Sequence, residues 1–135
     1  MLHLNYIHIL VAALVYFIIG ALWYSMLFGK QWMKLVGATG EITEADKKMM
    51  PMMFATTFVL NFIITLATAC IIHIVSPATG VGAVKIGVLL GVGFVATTCM
   101  MNNMYAKRSF KLTVIDSGYH IFSITVAAII LQMWH

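Results

Sequence analysis

Asp116 and His120 stand four residues apart in Thr113–Trp134, a stretch that otherwise reads as a membrane span. On a helix, residues i and i+4 share one face about one turn apart. Ionisable groups in hydrocarbon are costly, so they face a protein interior or a water-filled cavity. Imidazole titrates near neutral pH and a carboxylate can accept a proton, so the pair has the composition of a proton acceptor and relay. The same spacing has a structural reading. An aspartate near a helix N-terminus is favoured by the helix dipole. Asp116 could pair with Arg108 or Lys111 and orient His120.

Other polar residues interrupt apolar sequence. Thr57, Asn61, Thr65 and Thr68 fall on one stripe of a second apolar run. Threonine hydroxyls can bond their own helix backbone, so they carry little information alone. Asn61 is near mid-span, and its amide needs a partner there. It is either glue between helices or one wall of a polar path, with Thr65, Asn102 and Tyr119 as further candidates. Ser123 and Ala127 continue the stripe of Asp116 and His120.

Metal and covalent chemistry find less support. His3, His8, His73 and His135 all project to the side opposite the basic loops, without HxH or HxxxH spacing, so no metal site is expected. Met26, Met33, Met49, Met50, Met52, Met53, Met100, Met101 and Met104 gather near the basic ends of the spans, beside Cys99. Thioethers select Cu(I), but adjacent methionines point in different directions and fit a packing role better. Cys70 and Cys99 read as small hydrophobes. The chain has no HExxH, phosphate loop or nucleophile motif, so neither an enzyme nor a cofactor is expected.

These residues must be positioned by helices in lipid. The chain has 135 residues, 62% of them hydrophobic and 9% charged. A soluble domain carries about a quarter charged residues. Four apolar runs reach the roughly 20 residues that a bilayer requires, near Tyr6–Phe28, Met52–Val75, Ala83–Tyr105 and Thr113–Trp134. They lack the alternation of barrel strands, so the expected fold is all-α: one domain, a four-helix transmembrane bundle. The N-terminus lacks the basic start and cleavage site of a signal peptide, so the first run is expected to stay as a span.

Seven of the eight basic residues lie in the connections Gly29–Pro51 and Ala106–Leu112. The positive-inside rule puts both in the cytoplasm and both termini, with Ser76–Gly82, outside. The net charge of +4 is too sparse for a nucleic-acid surface. The expected partners are the lipid bilayer and a second copy. Gly87 and Gly91 form a GxxxG, extended back by Ala83, which suits close helix packing within the chain or in a dimer or larger homo-oligomer. In the first connection, Gly37 and Gly40 mark a turn, and Thr43 with Asp46 resembles a capping box. A short interfacial helix is expected from there to about Met50, with Pro51 opening the second span. Tyr6, Trp23, Tyr24, Trp32, Tyr105 and Trp134 sit where interfacial aromatic belts form.

Several segments together resemble a known family. Asn5-Tyr6 opens the first span, and Gly20-Ala21-Leu22-Trp23-Tyr24-Ser25 with Leu27-Phe28-Gly29-Lys30 closes it. Arg108-Ser109-Phe110-Lys111 then leads to Asp116, Gly118 and Tyr119. In these the chain resembles small bacterial integral membrane proteins catalogued as a domain of unknown function. In that family a proline often follows the serine; here Met26 stands in its place, which implies a straighter end to the first span. The resemblance implies four spans in a bacterial inner membrane and carries no activity with it. Two functions follow from the residues: a small proton- or cation-linked transporter or channel using Asp116 and His120, or a non-catalytic scaffold or accessory subunit in which the same pair is structural.

Overall fold

The computed structural model describes residues 4–35 and 44–134. Four helical stretches are long and apolar enough to cross a membrane: Tyr6–Leu27, Lys47–Val75, Gly80–Tyr105 and Phe110–Met133, here spans one to four. Among the described residues every regular element is helical. Polar side chains start three of the spans. Asn5 Oδ1 accepts from the Ile7 N–H at 3.0 Å to open α1 (Tyr6–Leu22), and the Thr79 hydroxyl accepts from the Gly82 N–H at 3.3 Å. The Ser109 hydroxyl accepts from the Lys111 N–H at 3.2 Å. Each occupies a backbone donor that the first helical turn leaves without a partner.

Two spans are not uniform. Span one continues past α1 as a π-helical turn, Trp23–Leu27, and is followed by a short helix α2 (Gly29–Leu35). Span two is the continuous helix α3 (Glu44–Val75). Span three consists of α4 (Gly80–Leu90), a second π-helical turn (Gly91–Ala96) and α5 (Thr97–Tyr105). Span four is α6 (Phe110–Met133).

The expected short helix is therefore misplaced. The segment before Pro51 is not a separate interfacial helix: α3 runs through Pro51 from Glu44. Proline removes one ladder bond and its ring crowds the carbonyl four residues back. Here strong helix formers flank it, including Ala45, Lys47, Lys48, Met49 and Met50, and they carry the helix across. The separate short helix is α2, built from Lys30, Gln31, Met33, Lys34 and Leu35, also good helix formers. The turn expected at Gly37 and Gly40, and Thr43 of the expected cap, lie outside the described residues, as does the side chain of Asp46.

Span four is the centre of the bundle. It packs against each of the other spans, while span one leans on span two and span two only lightly touches α4. At the end holding Asn5 and Met133, small residues bring the helices together: Ala12, Ala69, Ala83, Ala127 and Ala128 are buried with Ile9, Ile72 and Leu131. The glycines extend this contact. A Cβ on Gly87 would lie 2.5 Å from Thr125 Cα, and one on Gly91 would lie 2.8 Å from Ile121 Cα. The Gly87–Gly91 stripe is thus occupied by span four of the same chain.

Candidate functional site

The other half of the bundle forms an open cavity of about 1450 Å³. All four spans and α2 contribute to its wall. Phe17, Tyr119 and His120 line its deep end, and Trp32 and Arg108 lie towards the basic loops. Beyond the deep end, Tyr16, Tyr119 and Ile124 form a buried layer, and the alanine-rich cluster follows. The cavity therefore ends inside the bundle.

Span four brings both expected ionisable residues to this cavity, each half-buried. They are not hydrogen-bonded to one another; each has a tyrosine partner from span one. The Tyr24 hydroxyl donates to Asp116 Oδ1 at 2.5 Å. Tyr16 and His120 Nδ1 are 2.5 Å apart, and with the ring proton on Nε2 the hydroxyl is the donor. Tyr119 sits between these pairs, its ring edge-on to both Tyr16 and Tyr24 with centroids 5.4 Å away in each case. Its hydroxyl points to the Tyr16 carbonyl oxygen at 3.5 Å. The fit is close, since a Cβ on Gly20 would lie 2.8 Å from the Tyr119 oxygen.

The expected ion pair does not form. Among the described residues Asp116 has no Lys or Arg within pairing distance, and its one hydrogen-bond partner is the neutral phenol of Tyr24. Arg108 lines the same cavity but precedes α6, eight residues before Asp116. At 1.5 Å per residue that separation is about 12 Å along the axis.

The remaining candidates divide. Asn61 is buried, 3% exposed, and its Nδ2 has no hydrogen-bond partner of good geometry, although its amide lies beside the Tyr119 hydroxyl. Thr65 is buried but donates to the Asn61 and Phe62 carbonyls of its own helix, and it does not line the cavity. Asn102 lines the cavity from an exposed position. Its neighbour Asn103 is buried and donates to Thr113 Oγ1 at 2.9 Å, tying α5 to α6.

Tyr16 was missed as a site residue, and Tyr24 was read as an interfacial anchor. The available signal was Tyr16 itself, a phenol in mid-span where its hydroxyl requires a partner. Trp23 is likewise more than an anchor, because its Nε1 donates to the Ile115 carbonyl at 3.0 Å. Tyr6 and Tyr105 remain exposed, as anchors would be. At the opposite end, His8 and His73 line a smaller cavity of about 240 Å³ with Trp134, whose ring is 4.6 Å from that of His8. His3 and His135 lie outside the described residues. Cys70 and Cys99 are free and half-buried. Among the described residues no three His, Cys, Asp or Glu side chains are grouped to hold a metal.

Fold and site together define an all-helical protein with four helices apt to span a membrane, and a carboxylate held by tyrosine in a cavity that ends inside the bundle. The chain belongs to the family described as "Protein of unknown function (DUF1761)", whose sequence model matches residues 7–132. Comparison with curated proteins and with solved structures returned no match for the chain.

Proposed function

We propose that this protein is a small proton-linked carrier of a bacterial inner membrane, with Asp116 as the group that takes up a proton or a cation. The observation that carries the reading is the Asp116 carboxylate inside a largely apolar cavity with only a neutral phenol bonded to it. A carboxylate away from water is costly unless a positive charge or a proton accompanies it. Either a proton or a ligand cation satisfies it, and exchange between the two is what coupling requires. His120, held by Tyr16, serves as a relay at the deep end. Asn61, whose amide lies beside the Tyr119 hydroxyl, adds a buried polar group next to the tyrosine layer.

The cavity stops at the tyrosine layer instead of continuing through the bundle, which favours a carrier over a channel, because a channel needs a continuous path. In this reading the basic loops put the cavity mouth in the cytoplasm and the termini outside. The working unit is a homo-oligomer, dimer or larger, joined through a face other than the glycine stripe. No catalysed reaction is assigned.

A scaffold or accessory-subunit reading has its own support. Tyr24–Asp116, Tyr16–His120 and Trp23–Ile115 all join span one to span four, so the same bonds can serve assembly alone. Proton and cation flux into liposomes separates the two, comparing the wild type with Asp116→Asn and His120→Ala. The carrier reading expects flux that disappears in Asp116→Asn while its melting temperature stays within a few degrees, since an asparagine oxygen can still accept from Tyr24. Absence of flux under every gradient, with a strongly destabilised Asp116→Asn, would establish the scaffold.

A further inference from the structure

We infer that the cavity takes a membrane-soluble organic cation: an aromatic or branched apolar body bearing one delocalised or quaternary positive charge, which reaches Asp116 sideways between α3 and α5. The inference rests on the carrier reading of the same cavity and names the class of its ligand.

Local charge at Asp116 selects the sign, because the guanidinium of Arg108, which lines the same cavity, lies towards the mouth about 12 Å away along the axis. Tyr24 occupies Oδ1 of Asp116, and Oδ2 has no hydrogen-bond partner among the described residues. The walls select the kind of cation. Phe17, Phe54, Trp32, Tyr24 and Phe94 line the cavity, with Phe17 edge-on to Phe54 and Tyr24 edge-on to Trp32. Aromatic faces attract cations, most strongly where water is excluded. An inorganic cation would need several oxygen ligands; the lining holds one carboxylate, Asp116, and the hydroxyls of Ser25, Thr57 and Thr98 are each bonded within their own helices.

The hydroxyls of the cavity argue against a hydrogen-bonding ligand. Ser25 donates to the Ala21 carbonyl, Thr57 to Met53 at 2.8 Å and Thr98 to Phe94 at 2.5 Å, each within its own helix. Their protons are already engaged, so a sugar, whose oxygens need donors, would find few partners. A phosphonium or quaternary ammonium ion asks for none. The volume, about 1450 Å³, exceeds the 300–1,000 Å³ typical of small-molecule sites. It accommodates several rings.

The route is lateral. α5 packs on α6 and on its adjoining π-turn but makes no comparable contact with α3. The wall residues beside this gap, Met53 and Phe54 of α3 and Phe94 of the π-turn that leads into α5, are exposed. All three belong to segments apolar enough to lie in a membrane. A ligand dissolved in lipid can therefore reach the carboxylate without crossing the mouth beside Arg108.

The test uses two ions of matched size and shape and opposite sign, tetraphenylphosphonium and tetraphenylborate. Each is titrated by equilibrium dialysis against the protein in lipid nanodiscs, with empty nanodiscs subtracted. Saturable binding is expected for the phosphonium and none for the borate. Affinity should fall about tenfold or more in Asp116→Asn, be retained in Asp116→Glu, and fall a few-fold in Phe54→Ala. The Phe54 arm keeps the test informative should Asp116→Asn fail to fold. Equal saturable binding of both ions, or phosphonium binding untouched in a folded Asp116→Asn, would overturn the inference. The underlying reading is judged separately in liposomes. Asp116-dependent phosphonium binding without transport or proton flux upholds the site and removes the carrier. Asp116-dependent proton flux with no phosphonium binding upholds the carrier and removes this ligand class.

Discussion

The two halves of the bundle are made from the same four spans and pack in opposite ways. In the half nearest the chain ends, alanines at 12, 69, 83, 127 and 128 and the Gly87–Gly91 stripe let backbones approach until no side chain fits between α4 and α6. In the other half, Phe17, Tyr24, Trp32, Phe54 and Phe94 stand where small residues would close the bundle, and a cavity results. The π-helical turn Trp23–Leu27 falls in this half, the turn Gly91–Ala96 enters it from the end of the glycine stripe, and each contributes wall residues. A π-turn inserts a residue into the helical repeat and re-aims the side chains beyond it, which is why such turns recur at functional sites. In lipid, where apolar surface alone does not drive helices together, the difference in side-chain size is enough to make one half a seal and the other a chamber.

That contrast can be broken most severely in the sealed half. Gly87→Leu would force a side chain into the Thr125 backbone, and a loss of about 3 kcal/mol or more is expected, enough to prevent recovery of folded protein. Thermal unfolding by circular dichroism in detergent checks it, and a well-folded Gly87→Leu would mean that the halves do not differ as described. A smaller effect is expected across the chamber. Tyr24→Phe removes the hydrogen bond to Asp116, with an expected cost of about 1 kcal/mol in the same measurement. Proton flux should change more than stability does. The smallest effect sharpens the comparison with the glycine stripe. Gly93 belongs to the π-turn beside the chamber, and a Cβ there would meet only Leu89 Cδ1 at 4.0 Å. Gly93→Ala should be neutral or stabilise by about 0.5 kcal/mol, since it restricts the unfolded chain without a clash. A large destabilisation would show that the chamber half is as tightly packed as the other.

Much of this architecture was legible in the chain because it depends on local properties. A backbone in lipid must satisfy its own hydrogen bonds, so four long apolar runs leave little choice but helices. The 100° step per residue puts Asp116 and His120 on one face whatever surrounds them. The requirement for a close neighbour at Gly87 and Gly91 was equally local. The helix around Pro51 was misjudged because the propensities of its neighbours outweighed the proline signal.

Tertiary structure decided which faces meet. Asn102 and Asn103 are adjacent, chemically identical and both border the cavity, yet one is exposed and the other is buried with its amide on Thr113, because a single helical step turns the side chain to a different neighbour. The partner of the glycine stripe, the pairing of Asp116 with Tyr24 rather than Arg108, and the pairing of His120 with Tyr16 all join residues about ninety or more positions apart or on different spans. Composition and periodicity describe one helix at a time. The chamber exists only where the large faces of several helices are held apart by the close contact of their small faces at the other end.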